Sequence, residues 1–206
     1  MKHSQNQKRF FYSLGAILLL FGIYLSIFQK QAHFYTFFAV GFLIIFWLIY
    51  NSISKKKLFQ DFKIKHHVFF WVILTLICII IDTLCMFLGW WIYPSYSSGL
   101  DEILKYIFEW VIPLAGSMIL FMIGLKHKTK KVKLVNLVIA LALVFVFGIF
   151  TEFINLFAFS WKILSMPITN LKIGPFFLIF QTIGYWLMAL ITLCIYHLTK
   201  KIFKIK

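Results

Sequence analysis

The amino-acid sequence predicts an all-α integral membrane protein with six transmembrane helices, and three observations carry that prediction. First, the chain of 206 residues is 62% apolar and only 13% charged, against about half and about a quarter in ordinary soluble domains. Second, the apolar residues gather in six near-continuous runs without the two-residue alternation of barrel strands. Third, the basic residues behind the net charge of +15 lie between those runs and not along a polar face. Together these exclude a water-soluble globular domain, a disordered chain and a disulfide-rich secreted module. The positive charge reads as membrane topology, with no nucleic-acid partner.

A bilayer core about 30 Å thick needs roughly 20 apolar residues in a helix. The runs that meet this are Phe10–Phe28, Phe34–Tyr50, Val68–Leu88, Ile103–Leu125, Leu134–Ala158 and Pro175–Leu198. The first outlasts a signal-peptide core and precedes no small-x-small cleavage site, so it is expected to remain as an anchor. With six spans both tails lie on one side. Seventeen Lys and Arg fall in the tails and in the second and fourth connections; only Lys30, Lys105, Lys162 and Lys172 fall on the other side. The positive-inside rule therefore predicts a multi-pass protein of the cell membrane with cytoplasmic N- and C-termini and membrane lipid as its first partner. The sequence sets no oligomeric state.

Against so much hydrocarbon the few polar residues inside spans stand out. Asp82 lies six residues from the outer end of the third span, Glu109 six residues into the fourth, and Glu152 six residues from the outer end of the fifth. Gln181 lies six residues into the sixth, and Asn155 is one turn from Glu152 on the same face. Six residues of helix is about 9 Å, so these groups share one depth in the outer half of the membrane. Asp61, Asp101 and Glu102, the remaining acids, fall in connections. Acids within spans face the bundle interior and mark functional sites by default. Taken singly, each is better explained by helix-to-helix hydrogen bonding or by an interfacial acid that reaches water; their common depth favours a shared cavity opening outward.

Spans three–four and five–six read as two copies of one unit. Trp91 follows Asp82 by nine residues, and Trp161 follows Glu152 by nine. Asp82 to Glu109 is 27 residues, and Glu152 to Gln181 is 29. Both units begin on the cytoplasmic side, so the predicted repeat is parallel, its axis along the membrane normal. The domain reading is an N-terminal transmembrane hairpin over residues 1–66, at the periphery, and a four-helix repeat core over 67–206. The outer connections are aromatic: Gly89-Trp90-Trp91-Ile92-Tyr93-Pro94-Ser95-Tyr96, and Phe157-Ala158-Phe159-Ser160-Trp161. Such rings form an interfacial belt or line the mouth of an acidic cavity. Trp110, beside Glu109, and Tyr185-Trp186, near Gln181, lie below the interface and fit the second role. Cys78, Cys85 and Cys194 sit inside spans and read as packing. There is no Cys/His metal spacing, Gly-rich phosphate loop or His-Glu-x-x-His, so neither metal nor cofactor is expected.

Asp82, then Gly89-Trp90-Trp91-Ile92-Tyr93-Pro94, then Ile112-Pro113-Leu114, resembles the membrane-embedded lycopene cyclase domain of carotenoid synthesis. The stretch Phe108-Glu109-Trp110-Val111-Ile112-Pro113 is also similar to small uncharacterised bacterial polytopic membrane proteins. The likeness covers residues 82–116. It implies a fold of small helical units and a chemistry in which a polyene end is protonated and closes a ring through a carbocation. One departure matters: where the cyclases carry a Glu-Glu pair, this chain has Ala115-Gly116. Glu109 precedes the proline, and six residues is about 240° of net rotation, so it points to a different face. Cyclase activity does not carry over; Asp82, Trp91 and Tyr93 carry over as fold or pocket residues.

Three functions are compatible with these residues. The first is an enzyme or binder for an isoprenoid-like lipophilic small molecule. Asp82, Glu109 and Glu152 would be its acids, and Trp91, Tyr93, Trp110, Asn155, Trp161 and Gln181 would form its ligand-binding wall. The second is a small proton-coupled transporter using the same acids. The third is a non-catalytic membrane protein that keeps the scaffold.

Overall fold

The computed structural model describes residues 5–54, 58–94, 106–126 and 132–205. The expectations resting on Asp101, Glu102, Lys105, Ser95 and Tyr96, and on Lys2, Lys55–Lys57, Lys128, Lys130, Lys131 and Lys206, lie outside these residues. The described chain is helical nearly throughout. Its helices are α1 (Gln5–Ile27), α2 (Phe34–Ile53), α3 (Ile64–Phe87), α4 (Ile112–Gly124), α5 (Leu134–Ala158) and α6 (Tyr185–Ile202). Two π-helical stretches, Tyr106–Val111 and Phe180–Gly184, lead into α4 and α6. Four two-residue strands complete it: β1 (Trp91–Ile92) pairs antiparallel with β2 (Lys162–Ile163), and β3 (Lys172–Ile173) with β4 (Phe176–Phe177). All four strands lie at one end of the bundle, here termed the strand end.

Five of the helices, counting Phe180–Ile202 as one, are long and apolar enough to cross a membrane, and the chain reads as a membrane protein. The fourth predicted span is a shorter apolar helix, Glu109–Gly124. It is also the most enclosed: from Pro113 to Gly124 every residue but Ile123 is buried. A helix apolar on all sides belongs at the centre of a bundle, and α4 packs against α2, α5 and α6. The sixth span begins later than predicted. Pro175 lies in the tight turn between β3 and β4, and the helix starts at Leu178. Gln181 is therefore within the first turn of the helix and not six residues into it.

The remaining helices each show the bundle one stripe. On α3 it is Phe70, Leu74, Cys78, Asp82 and Cys85, spaced by four or three. On α5 it includes Ala140, Val144, Gly148, Glu152 and Asn155. The polar residues of α3 and α5 thus face inward, while Val72, Leu76, Ile80, Val138 and Val146 face outward, where lipid would cover them. Close helix contact uses small residues without a Gly-x-x-x-Gly pair. A Cβ on Gly41 of α2 would stand 2.7 Å from the Gly15 carbonyl oxygen of α1. A Cβ on Gly124 would stand 2.3 Å from the Ala140 Cα of α5.

The N-terminal hairpin divides in two. Helix α1 carries many outward apolar residues, such as Phe10, Ile17 and Leu20. On helix α2, Phe34, Tyr35 and Phe38 are almost fully buried, in one cluster with Ile154 and Ala158. The Ser26 hydroxyl donates to the Ile154 carbonyl at 2.6 Å, pinning the end of α1 to α5.

Candidate functional site

Helix α3 ends in a Schellman turn. The Trp90 N–H bonds the Cys85 carbonyl at 2.9 Å and the Gly89 N–H bonds Met86 at 3.0 Å, with Gly89 at φ +69. That left-handed residue folds the chain back over the helix end. In the extended segment that follows, residues two apart point the same way, so Trp91 and Tyr93 both reach Asp82. The Trp91 Nε1–H donates to Asp82 Oδ1 at 2.8 Å, and the Tyr93 hydroxyl donates to the same oxygen at 2.7 Å. The Trp110 Nε1–H then donates to the Tyr93 oxygen at 2.6 Å. Burial lifts the Tyr93 hydroxyl well above its ordinary value near 10, and negative charge on Asp82 and Glu109 adds to the effect. Tyr93 therefore stays a neutral relay between indole and carboxyl.

Helix α5 reaches a similar result without glycine. Phe159 takes the left-handed conformation at φ 54. Asn155 secures the turn: its Oδ1 accepts from the Ser160 N–H at 2.9 Å, and its Nδ2 donates to the Trp161 carbonyl at 2.8 Å. Trp161 is thereby swung back onto Glu152, its Nε1–H lying 3.1 Å from both carboxyl oxygens. From α6 the Tyr185 hydroxyl donates to Glu152 Oε1 at 3.0 Å. The ring of Tyr35 stands edge-on to Trp161, with centroids 4.8 Å apart.

These groups enclose a cavity of about 30 Å³, room for one or two water molecules. Glu109 and Glu152 both line it, with Trp91, Tyr93, Trp110 and Trp161. Glu109 is delivered by the π-helical stretch before α4; such stretches are rare and concentrate at functional sites. Gln181 sits in the second one. Asp82 is placed differently. It is fully buried and stands behind Trp91 and Tyr93, holding two walls of the cavity without being one of its lining residues. Asn155 and Gln181 line a neighbouring cavity of about 180 Å³, which shares Glu152, Trp161 and Ile163 with the first.

Two further residues complete the site. Tyr35 lines the acid cavity from the hairpin that looked peripheral; its only signal in the sequence is a hydroxyl among phenylalanines at the start of the second span. Tyr185 was one half of a singled-out pair, and the structure separates the two. Tyr185 serves Glu152, whereas the Trp186 Nε1–H bonds the Leu141 carbonyl at 2.9 Å and joins α6 to α5. Ala115 lines a third cavity of about 300 Å³ with Trp47 and Trp71, away from Glu109.

Chemically, the site offers two carboxyl groups in one small cavity, each able to give or take a proton. Its indole faces attract positive charge. No family model, no curated protein and no solved structure matches this chain.

Proposed function

We propose that this chain is a multi-pass protein of the cell membrane, with its tails in the cytoplasm, that binds or acts on a lipophilic, isoprenoid-like molecule at the acid–aromatic cluster. One observation carries the reading: Glu109 and Glu152, from different helices, line one cavity walled by Trp91, Trp110 and Trp161. Acids inside an apolar bundle are costly and are retained for function. The chemistry that fits is general-acid catalysis. A neutral carboxyl group transfers its proton to a carbon of a double bond, leaving a carboxylate. The cation formed lies against indole faces, and loss of a proton from a neighbouring carbon back to the carboxylate closes the cycle. In this reading Glu109 and Glu152 are the acids, and Asp82 is a positioning residue for Trp91 and Tyr93.

The reading includes a parallel repeat of α3–α4 and α5–α6. Three features support it. The indole–carboxyl bond spans nine residues in both halves. Both second helices start from a π-helical stretch. Strands β1 and β2 pair with Ile92 opposite Lys162, the same 70-residue offset that separates Asp82 from Glu152. A two-fold axis along the membrane normal would place equivalent residues opposite each other in this way.

A second reading, a non-catalytic protein on a retained scaffold, is favoured by one observation. Ala115 and Gly116 leave the family's acid positions apolar. Extraction of lipid from the purified protein followed by mass spectrometry separates the two. A specific isoprenoid supports the site; bulk phospholipid alone refutes it. Turnover or binding of that lipid should fall in Glu109→Gln and Glu152→Gln, and full retention in both would refute their role.

A further inference from the structure

The larger cavity beside the acids has features that hydrocarbon alone does not explain. Its rim carries Lys162 and Lys172, half of the four basic residues in the strand-end connections. Topology thins basic residues on that face, so two around one cavity call for a further cause. Both are anchored by backbone pairing, Lys162 opposite Ile92 and Lys172 opposite Phe177. The Lys172 ammonium stands 4.3 Å from the centroid of the Phe177 ring. In the cavity wall Gln181 is 1% exposed, and its Oε1 has no hydrogen-bond partner among the described residues. A buried amide group left unsatisfied asks for a ligand or ordered water. Glu152 also lines this cavity, but its oxygens are engaged by Trp161 and Tyr185. The lysines are thus the charged groups left to meet a ligand.

We infer that this second chamber binds the phosphate-monoester head of an amphiphile whose first chain carbons lie against the acid cavity. Two ammonium groups match the nearly two negative charges of a phosphate monoester at neutral pH, where a carboxylate head would need one. Rotation of the Gln181 amide exchanges its two ends and places the N–H₂ where the unpartnered carbonyl oxygen stands, as a donor to a phosphate oxygen. The inference rests on the proposed function and narrows its ligand from isoprenoid-like lipids to their phosphorylated forms.

The test is binding of farnesyl phosphate, farnesol and inorganic phosphate to the purified full chain in detergent micelles, read by tryptophan quenching. Farnesyl phosphate is expected to bind at least about tenfold tighter than farnesol. The double variant Lys162→Ala, Lys172→Ala should lose that advantage while binding farnesol unchanged, and Lys→Arg at both positions should keep it. Inorganic phosphate that competes as strongly as farnesyl phosphate would overturn the lipid assignment in favour of a free-phosphate site. Farnesol bound as tightly as farnesyl phosphate would overturn the inference and leave the proposed function standing. Failure of both prenyl probes to bind would overturn both.

Discussion

Replacing Asp82 by leucine removes the one oxygen on which Trp91 and Tyr93 converge. Both donors are then left in an apolar interior without that acceptor, 2.8 and 2.7 Å from where it stood. Hydrogen bonds inside membrane proteins contribute about 0.6 kcal/mol on average and up to about 1.7 kcal/mol. Two lost bonds therefore cost about 1.2–3.4 kcal/mol, and the full burial of Asp82 places the result toward the upper end. Asp82→Asn keeps a carbonyl oxygen at the same place and should cost less than about 1 kcal/mol. The assay is thermal unfolding in detergent micelles followed by near-ultraviolet circular dichroism. That signal includes a contribution from the pair Trp91 and Trp110, whose ring centroids are 5.4 Å apart. The leucine variant should unfold earlier and lose part of the native tryptophan signal, with the asparagine variant close to the parent. A leucine variant indistinguishable from the parent would refute the role given to Asp82. Equal losses in both variants would show that charge, and not the acceptor, holds the aromatic wall.

Other outcomes follow from the same geometry. Asn155→Ala removes the side chain that holds Ser160 and Trp161; it should cost about 1–3 kcal/mol, read as a lower unfolding midpoint in the same melt, and an unchanged midpoint would refute its part in the turn. Gly124→Ala drives a Cβ into the Ala140 backbone at 2.3 Å and should destabilise by about 1–3 kcal/mol. Gly116→Ala, whose nearest neighbour is Phe46 at 3.9 Å, serves as its neutral control in the same melt. A cysteine placed at Thr169 in intact cells should react with a membrane-impermeant thiol reagent, and one placed at Lys201 only after permeabilisation. The reverse pattern would refute the orientation drawn from the lysines.

Much of the site was legible because it depends on local spacing. A carboxyl group and an indole nine residues apart across a helix end can meet whenever the chain folds back. Gly89 with Asp82, and Asn155 with Glu152, each carry that turn in their own few residues. The inward direction of Asp82 was also legible, because it shares a four-and-three-residue stripe with Phe70, Leu74 and Cys78. Other parts were not. The helix start counted from the edge of an apolar run came too early, because Pro175, Phe176 and Phe177 are apolar yet form a turn and a strand. Tyr35 joined the site through packing with residues more than a hundred positions away, including Trp161.

The sequence by itself determined the class of this protein and its polar inventory. Hydropathy is a sum over neighbouring residues, so a window of about 20 captures the demand for a lipid-crossing helix. Only the tertiary structure decided which polar groups share a chamber. That choice depends on how helices rotate and cross, on π-helical stretches that re-aim Glu109, and on close approaches such as Gly124 against Ala140. It separated Glu109 and Glu152, which line the cavity, from Asp82, which holds its walls.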